Sequence, residues 1–266
     1  MLEDYQEDRK DQGMADATID KEMIYAKAVA KKAFYNDKID GRILKAFGNL
    51  KSKLTSGANA RTRTMTFDEY VSLIDNAPPH LKATIIIAFN TGMRKGEIRS
   101  LKWSYIDRKK GFIRLPKEIT KEKRAKNIPI NRHVEDVLDS IPRNISHGFV
   151  IDYKGDPIKN TSGMERSFKT ACIRSGILYG QKIKGGLIFH DIRRTVKTNM
   201  LAADVQKEYR DTILGHSLQG MDRNYIVPSN DDLKKAMNKY TEYIDDQITN
   251  LDHLLTKKPS QQANSL

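Results

Sequence analysis

The chain has 266 residues, 47 Lys and Arg against 34 Asp and Glu, a net charge of +13 and a pI near 9.6. With 38% hydrophobic residues it carries enough apolar material for a core, which excludes a fully disordered chain. It contains no run of about 18 apolar residues, no secretory leader opens it, and the single Cys172 excludes an intrachain disulfide or a cysteine metal site, as expected in a reducing cytoplasm.

In chain order, an acidic, helix-compatible opening leads to Thr18, which is expected to cap a helix over 18–35. Ile19, Met23, Ala26, Ala30 and Phe34 recur there at helical spacing. A short helix is predicted around 43–50, followed by TSGANARTRT over 55–64, polar, aperiodic and linker-like. Thr66 and Glu69 then form a Thr-x-x-Glu capping box ahead of an apolar run, the start of a new domain, and Pro78-Pro79 ends that helix. Residues 81–90 are apolar on nearly every side, a buried helix that stops at Thr91-Gly92, with another beginning near Met93. Between 103 and 130 the pattern changes to short strands at 104–106, 112–115 and 127–130 with basic turns. Helices are expected again at about 133–140, 164–175, 191–203, 207–214 and 231–255, and the last residues read as a tail. In the final helix Leu233, Met237, Tyr240, Ile244 and Ile248 make one apolar stripe, which fits either packing on its own domain or docking onto a neighbour. His80, His133, His147 and His253 have no ligand spacing and read as surface residues.

The charge is concentrated. Residues 1–60 are close to neutral, residues 61–200 hold 28 basic and 14 acidic side chains, and 201–266 are slightly acidic. An excess gathered in this way has the form of an electrostatic footprint for phosphates.

Four stretches, TGMRKGEI at 91–98, TKEKRAKNIPI at 120–130, HDIRRT at 190–195 and LGHSLQGMDRNYI at 214–226, resemble the tyrosine recombinases, the integrases of phages and mobile elements, in order and spacing. The resemblance covers about residues 60–245. It implies a mainly α fold with a small antiparallel β-sheet (α+β): a partial helical core-binding domain over 1–57, a linker over 58–64, a catalytic domain over 65–245, and a helix end and tail over 246–266. It also implies that Arg94 is the first catalytic arginine, Glu97 its supporting acid, Lys121 the hairpin lysine, His190 and Arg193 the His-x-x-Arg pair, His216 the histidine of Leu-Gly-His, and Tyr225 the nucleophile. Lys95, Lys123, Arg124, Lys126 and Arg194 are expected to contact the DNA backbone. No metal or cofactor is implied. The expected partner is double-stranded DNA, held by a cytoplasmic homotetramer on synapsed sites, with the C-terminal helix docked onto a neighbour and an accessory directionality factor.

The chemistry gives these residue types a reason. A phosphodiester repels nucleophiles, so a site that cleaves it needs fixed cations on the non-bridging oxygens. Arginine supplies paired N–H donors and a permanent charge. Three residues apart on a helix, His190 and Arg193 share a face. A tyrosine hydroxyl, with an ordinary pKa near 10, needs a base, for which His190 is the candidate. Lys121 is the candidate acid for the leaving 5′ oxygen, and His216 a donor to a non-bridging oxygen. Taken one at a time, Arg94 reads as a solvated helix-start residue, Lys121 as part of a wet hairpin and Tyr225 as a half-buried aromatic. Six correct types in one order favour the joint reading. The helices that open the family's core-binding module are missing from these 266 residues, so the resemblance implies an N-terminally truncated member. The expected function is site-specific integration or excision through a 3′-phosphotyrosyl intermediate. The alternatives are an inactive DNA-binding remnant and a type IB topoisomerase-like activity.

Overall fold

The computed structural model describes residues 1–216 and 228–256, and the chain divides into two units, Met1–Thr62 and Arg63–Leu266. Tyr225 lies outside the described residues.

The first unit contains α1 (Leu2–Asp11), α2 (Asp16–Tyr35) and α3 (Gly41–Asn49). Ile19 and Met23 on α2 are buried, whereas Phe34 at the far end of the expected apolar face is exposed. Thr18 does not cap α2: the helix begins at Asp16, after Ala15, with no side-chain cap. Polar contacts tie this small unit together. Asp20 accepts the backbone N–H of Lys53 at 2.8 Å and of Leu54 at 3.0 Å, and Arg9 pairs with Glu22 at 2.7 Å.

The second unit is built around α5. The capping box starts α4 (Phe67–Asn76) as expected: Thr66 Oγ1 accepts the Glu69 N–H at 3.2 Å, and the Thr66 N–H donates to Glu69 Oε2 at 2.9 Å. Pro79 takes the first position of α5 (Pro79–Thr91), where a missing N–H does no harm. Leu81, Ile85, Ile87 and Phe89 of α5 are wholly buried. Tyr70 stacks on Phe89 with centroids 3.9 Å apart. Gly92 ends α5 in the left-handed conformation (φ +65°), and a Cβ there would lie 2.2 Å from Leu214 Cδ2. A short α6 (Lys95–Arg99) follows.

A three-stranded antiparallel sheet comes next, β1 (Ile106–Asp107), β2 (Phe112–Leu115) and β3 (Lys126–Pro129), with Ile113 opposite Ile128 and Leu115 opposite Lys126. Trp103–Tyr105, expected in part to be strand, is a 3-10 turn. After α7 (Arg132–Ser140) comes a two-stranded hairpin that the sequence did not announce, β4 (Asp152–Tyr153) with β5 (Asp156–Pro157). Then come α8 (Thr161–Arg174), α9 (Phe189–Ala202), α10 (Lys207–Leu214) and the long α11 (Asn230–Thr256). The architecture is mainly α with small antiparallel sheets.

Of the two readings of the α11 stripe, the structure favours packing on its own domain. Leu233, Met237, Tyr240 and Ile244 are buried inside their own unit, and Tyr240 Oη donates to the Phe89 carbonyl at 2.7 Å. This stripe is therefore a core element, and these four residues are not a face that a neighbour can receive. Three of the histidines are also less superficial than expected. His80 meets the edge of Tyr153, His133 Nε2 is 2.9 Å from Asp245, and the His147 side chain is 8% exposed. No helix among the described residues is long and apolar enough to cross a membrane.

Candidate active site

Two left-handed glycine turns and the start of one helix bring the site together. The left-handed Gly92 reverses the chain after α5, so that Arg94 stands at the mouth of α6 and Glu97 falls on its first turn. Glu97 is 2% exposed and holds Arg94 twice: Oε2 accepts the Arg94 backbone N–H and Oε1 accepts Nη1, both at 3.0 Å. Burial alone would raise the Glu97 carboxyl. The Lys126 ammonium and the Arg94 N–H outweigh it and hold the carboxyl below its usual range.

His190 and Arg193 lie one turn apart on α9. Asp191, wholly buried, accepts the Ile188 N–H at 3.0 Å and so fixes the start of that helix. Arg193 is 5% exposed, and its guanidinium donates to the Gly92 carbonyl at 2.7 Å and to the Leu214 carbonyl. Burial, and then the neighbouring Arg94, lower its pKa to about 10, which leaves it charged at neutral pH. Arg94, Lys95, His190 and Arg193 line one cleft of about 450 Å³. The His190 imidazole is pushed below its ordinary pKa by burial first and then by Arg193, Arg194 and Arg94. Near pH 7 it is therefore neutral and able to accept a proton.

The second turn is Gly215, also left-handed (φ +72°), which ends α10 and presents His216. The His216 Nδ1 is 3.2 Å from Asp211 Oδ1 and 3.3 Å from Lys197 Nζ. Lys197 Nζ also donates to Asp211 Oδ1 at 3.0 Å, so Nδ1 stands between an ammonium and a carboxylate and donates or accepts according to the ring tautomer. Burial and Arg193 keep this ring, too, below its ordinary pKa. His216 lines a second cleft of about 360 Å³ together with Glu122, Arg124 and Lys126.

The loop between β2 and β3 carries Lys121, Lys123 and Arg124, all exposed. Its neighbour Glu122 reaches back onto Arg94, with Oε2 accepting Nη1 at 3.0 Å and Oε1 accepting Nη2. Sequence reasoning missed Glu122, Asp211 and Lys197. Glu122 gave no local signal, and that for Asp211 was its place five residues before His216.

One of the expected backbone contacts needs correction: Lys126 is buried against Glu97 and does not face outward, whereas Arg194 pairs with Asp191 and Lys95 with Glu165 at partly exposed positions. Lys123 and Arg124 remain on the surface. Tyr225, expected as the nucleophile, is outside the described residues.

Arginines converging on a cleft beside two neutral imidazoles define a site suited to an anionic ester. Residues 63–232 match the phage integrase family, and the chain belongs to that family. It is 34% identical over 107 residues to the shufflon-specific DNA recombinase of Escherichia coli, a match covering 40% of this chain and 24% of that protein. It is 25% identical to the tyrosine recombinase XerC-like protein of Caldanaerobacter subterraneus subsp. tengcongensis, covering 74% and 60%. The chain thus spans less than two thirds of either curated relative. Among solved structures, a lambda integrase (75–356) dimer bound to a COC' core site superposes with a TM-score of 0.64 at 18% identity, covering 86% of this chain and 80% of that one. A lambda integrase tetramer bound to a Holliday junction gives 0.64 at 19%, covering 83% and 64%. At these identities the superpositions establish the fold.

Proposed function

We propose that this chain cleaves and rejoins DNA strands through a 3′-phosphotyrosyl ester on Tyr225, in the integration or excision of a phage or other mobile element. One observation carries the reading: Arg94, His190 and Arg193, from distant stretches of sequence, line a single cleft. The two guanidinium groups stabilise the negative charge that builds as Tyr225 Oη attacks phosphorus. The tyrosine proton passes to His190, the bond from phosphorus to the 5′ oxygen breaks, and Lys121 supplies the proton that the leaving oxygen takes. His216 donates to a non-bridging oxygen. The ester conserves the bond for religation by the reverse steps, so the proposed route uses no cofactor. A phosphate reaching Arg94 takes the place of Glu122. A tetramer on two synapsed duplexes belongs to the same proposal, supported by the family relative solved as a tetramer on a Holliday junction.

The test is covalent capture from a pool of nicked duplexes with a randomised core. The expected result is a protein–DNA adduct that survives denaturation and disappears in Tyr225→Phe; the captured sequences then define the site. A gel shift with no adduct refutes cleavage and leaves a DNA-binding protein. Relaxation of supercoils without recombination of paired captured sites places the chain with topoisomerases instead.

A further inference from the structure

Lys126 is the one basic residue of the hairpin that points inward. It opens β3 two residues before Ile128, and both side chains are buried on the same face. Its Nζ donates to Glu97 Oε2 at 3.0 Å, with the two side chains 5% and 2% exposed. The Glu97 carboxylate is thereby fully engaged: Oε1 holds the Arg94 guanidinium, and Oε2 takes both the Arg94 N–H and Lys126. On its other side the Lys126 stem packs against the Gly215 turn, where a Cβ would lie 2.9 Å from Cδ and 3.6 Å from Nζ.

Glu97 poses an electrostatic difficulty. A buried carboxylate is a good device for orienting Arg94, but it also cancels one of the two guanidinium charges meant for the phosphate. Arg94, Arg193 and Glu97 together carry a single net positive charge; with Lys126 they carry two. A buried ammonium is costly to desolvate, and an apolar side chain of similar length would fill the space at lower cost.

We infer that Lys126 is a positioning residue for the phosphate clamp: its charge offsets Glu97, so that Glu97 orients Arg94 without neutralising the pair of arginines, and its stem sets the turn that presents His216. This rests on reading the cleft as a phosphodiester-cleaving site. Lys126 acts through Glu97 and touches neither the phosphate nor the leaving group.

The distinguishing experiment is a charge-rescue series of Lys126→Met, Lys126→Arg and the double variant Lys126→Met with Glu97→Gln. Single-turnover adduct formation on the captured nicked duplex is measured, with thermal unfolding recorded for each protein. Lys126→Met is expected to slow adduct formation about 10- to 100-fold, corresponding to removal of one charge-assisted interaction next to the reacting phosphate. Lys126→Arg recovers most of the rate, and adding Glu97→Gln to Lys126→Met recovers part of it, because the uncancelled negative charge is then gone. A role in packing alone predicts the opposite order, with the double variant slower than the single. That order, or a wild-type rate in Lys126→Met, overturns the inference. Titration of inorganic phosphate against the DNA-free protein reads the same balance without turnover. Affinity is expected to fall about tenfold in Lys126→Met and to return in the double variant, and unchanged affinity there counts equally against it. Absence of any Tyr225-dependent adduct from the wild-type chain sinks the cleavage reading, while the phosphate titration still decides the charge balance.

Discussion

Replacing Glu122 by Gln is expected to strengthen the grip on the scissile phosphate. In the DNA-free chain the Glu122 carboxylate straddles the Arg94 guanidinium, and the two side chains are 23% and 19% exposed. An incoming phosphate must break this pair. A fully exposed ion pair contributes about 0–1 kcal/mol, and a charge-assisted hydrogen bond about 1.5–3 kcal/mol. A half-screened bidentate pair falls between these, at about 1–2 kcal/mol. Removing the charge therefore predicts affinity about 5- to 30-fold tighter. The assay is equilibrium anisotropy in a Tyr225→Phe background, which prevents covalent trapping, on the captured duplex and on a copy with an uncharged methylphosphonate at the cleaved linkage. The gain should appear on the first duplex and largely vanish on the second. An equal gain on both means that Glu122 merely repels DNA from the surface. No gain on either means that Arg94 does not hold the phosphate.

Other expectations follow from the same contacts. Gly92→Ala forces a Cβ to 2.2 Å from Leu214 Cδ2 at φ +65° and moves the carbonyl that anchors Arg193, so urea denaturation should show a loss of about 2–5 kcal/mol. Because burial and the arginines hold His190 below its ordinary pKa of 6.5, adduct formation should be flat through neutrality and fall only on the acid side of 6.5; a loss beginning above pH 7 excludes His190 as the base. Lys126 has its pKa lowered from 10.5 to about 8, chiefly by burial, with Glu97 opposing and Arg193 and Arg94 reinforcing the shift; Glu122 and His216 line the same cleft. The unfolded chain therefore binds more protons between pH 8 and 10.5. Below pH 8 the charged lysine costs the fold roughly 3 kcal/mol, and this cost fades as pH rises through that window. Relative to Lys126→Met, wild-type stability should rise from pH 8 to 10.5, and parallel curves refute the assignment.

Much of the second unit is legible in the sequence because its local signals agree with one another. The Thr66 and Glu69 pair, Pro79, and the Gly after Thr91 each specify a helix end by satisfying or freeing particular backbone groups, and tertiary packing leaves them in place. The small β4–β5 hairpin is invisible for a physical reason. Its strands are two residues long, too short to alternate, and its turn is Lys154-Gly155, both at positive φ, where an Asn or Asp in the first position is the usual signal. Thr18 misled because a good capping residue can lie inside a helix whose end is set by the rest of the unit. The site shows a sharper split. Residue types and spacing bring Arg94, His190 and Arg193 to one cleft, yet the basic run from Lys121 to Lys126 reads as one patch when its members have different fates. Counting in steps of two back from Ile128 separates them, since a strand that buries Ile128 buries Lys126 as well. Pairings between distant segments, such as Glu122 on Arg94, leave no local trace.

The two carbonyls on Arg193 bear on how a member of this family decays. Its guanidinium ties the end of α5 to the end of α10, so a chain that has stopped turning over is still expected to need this arginine in order to stay folded. Selection for mere persistence of the fold would preserve Arg193 as faithfully as selection for catalysis. Lys121, exposed on its loop, carries no comparable structural duty. In a lineage drifting toward simple DNA occupancy it should be among the first of the proposed catalytic residues to go.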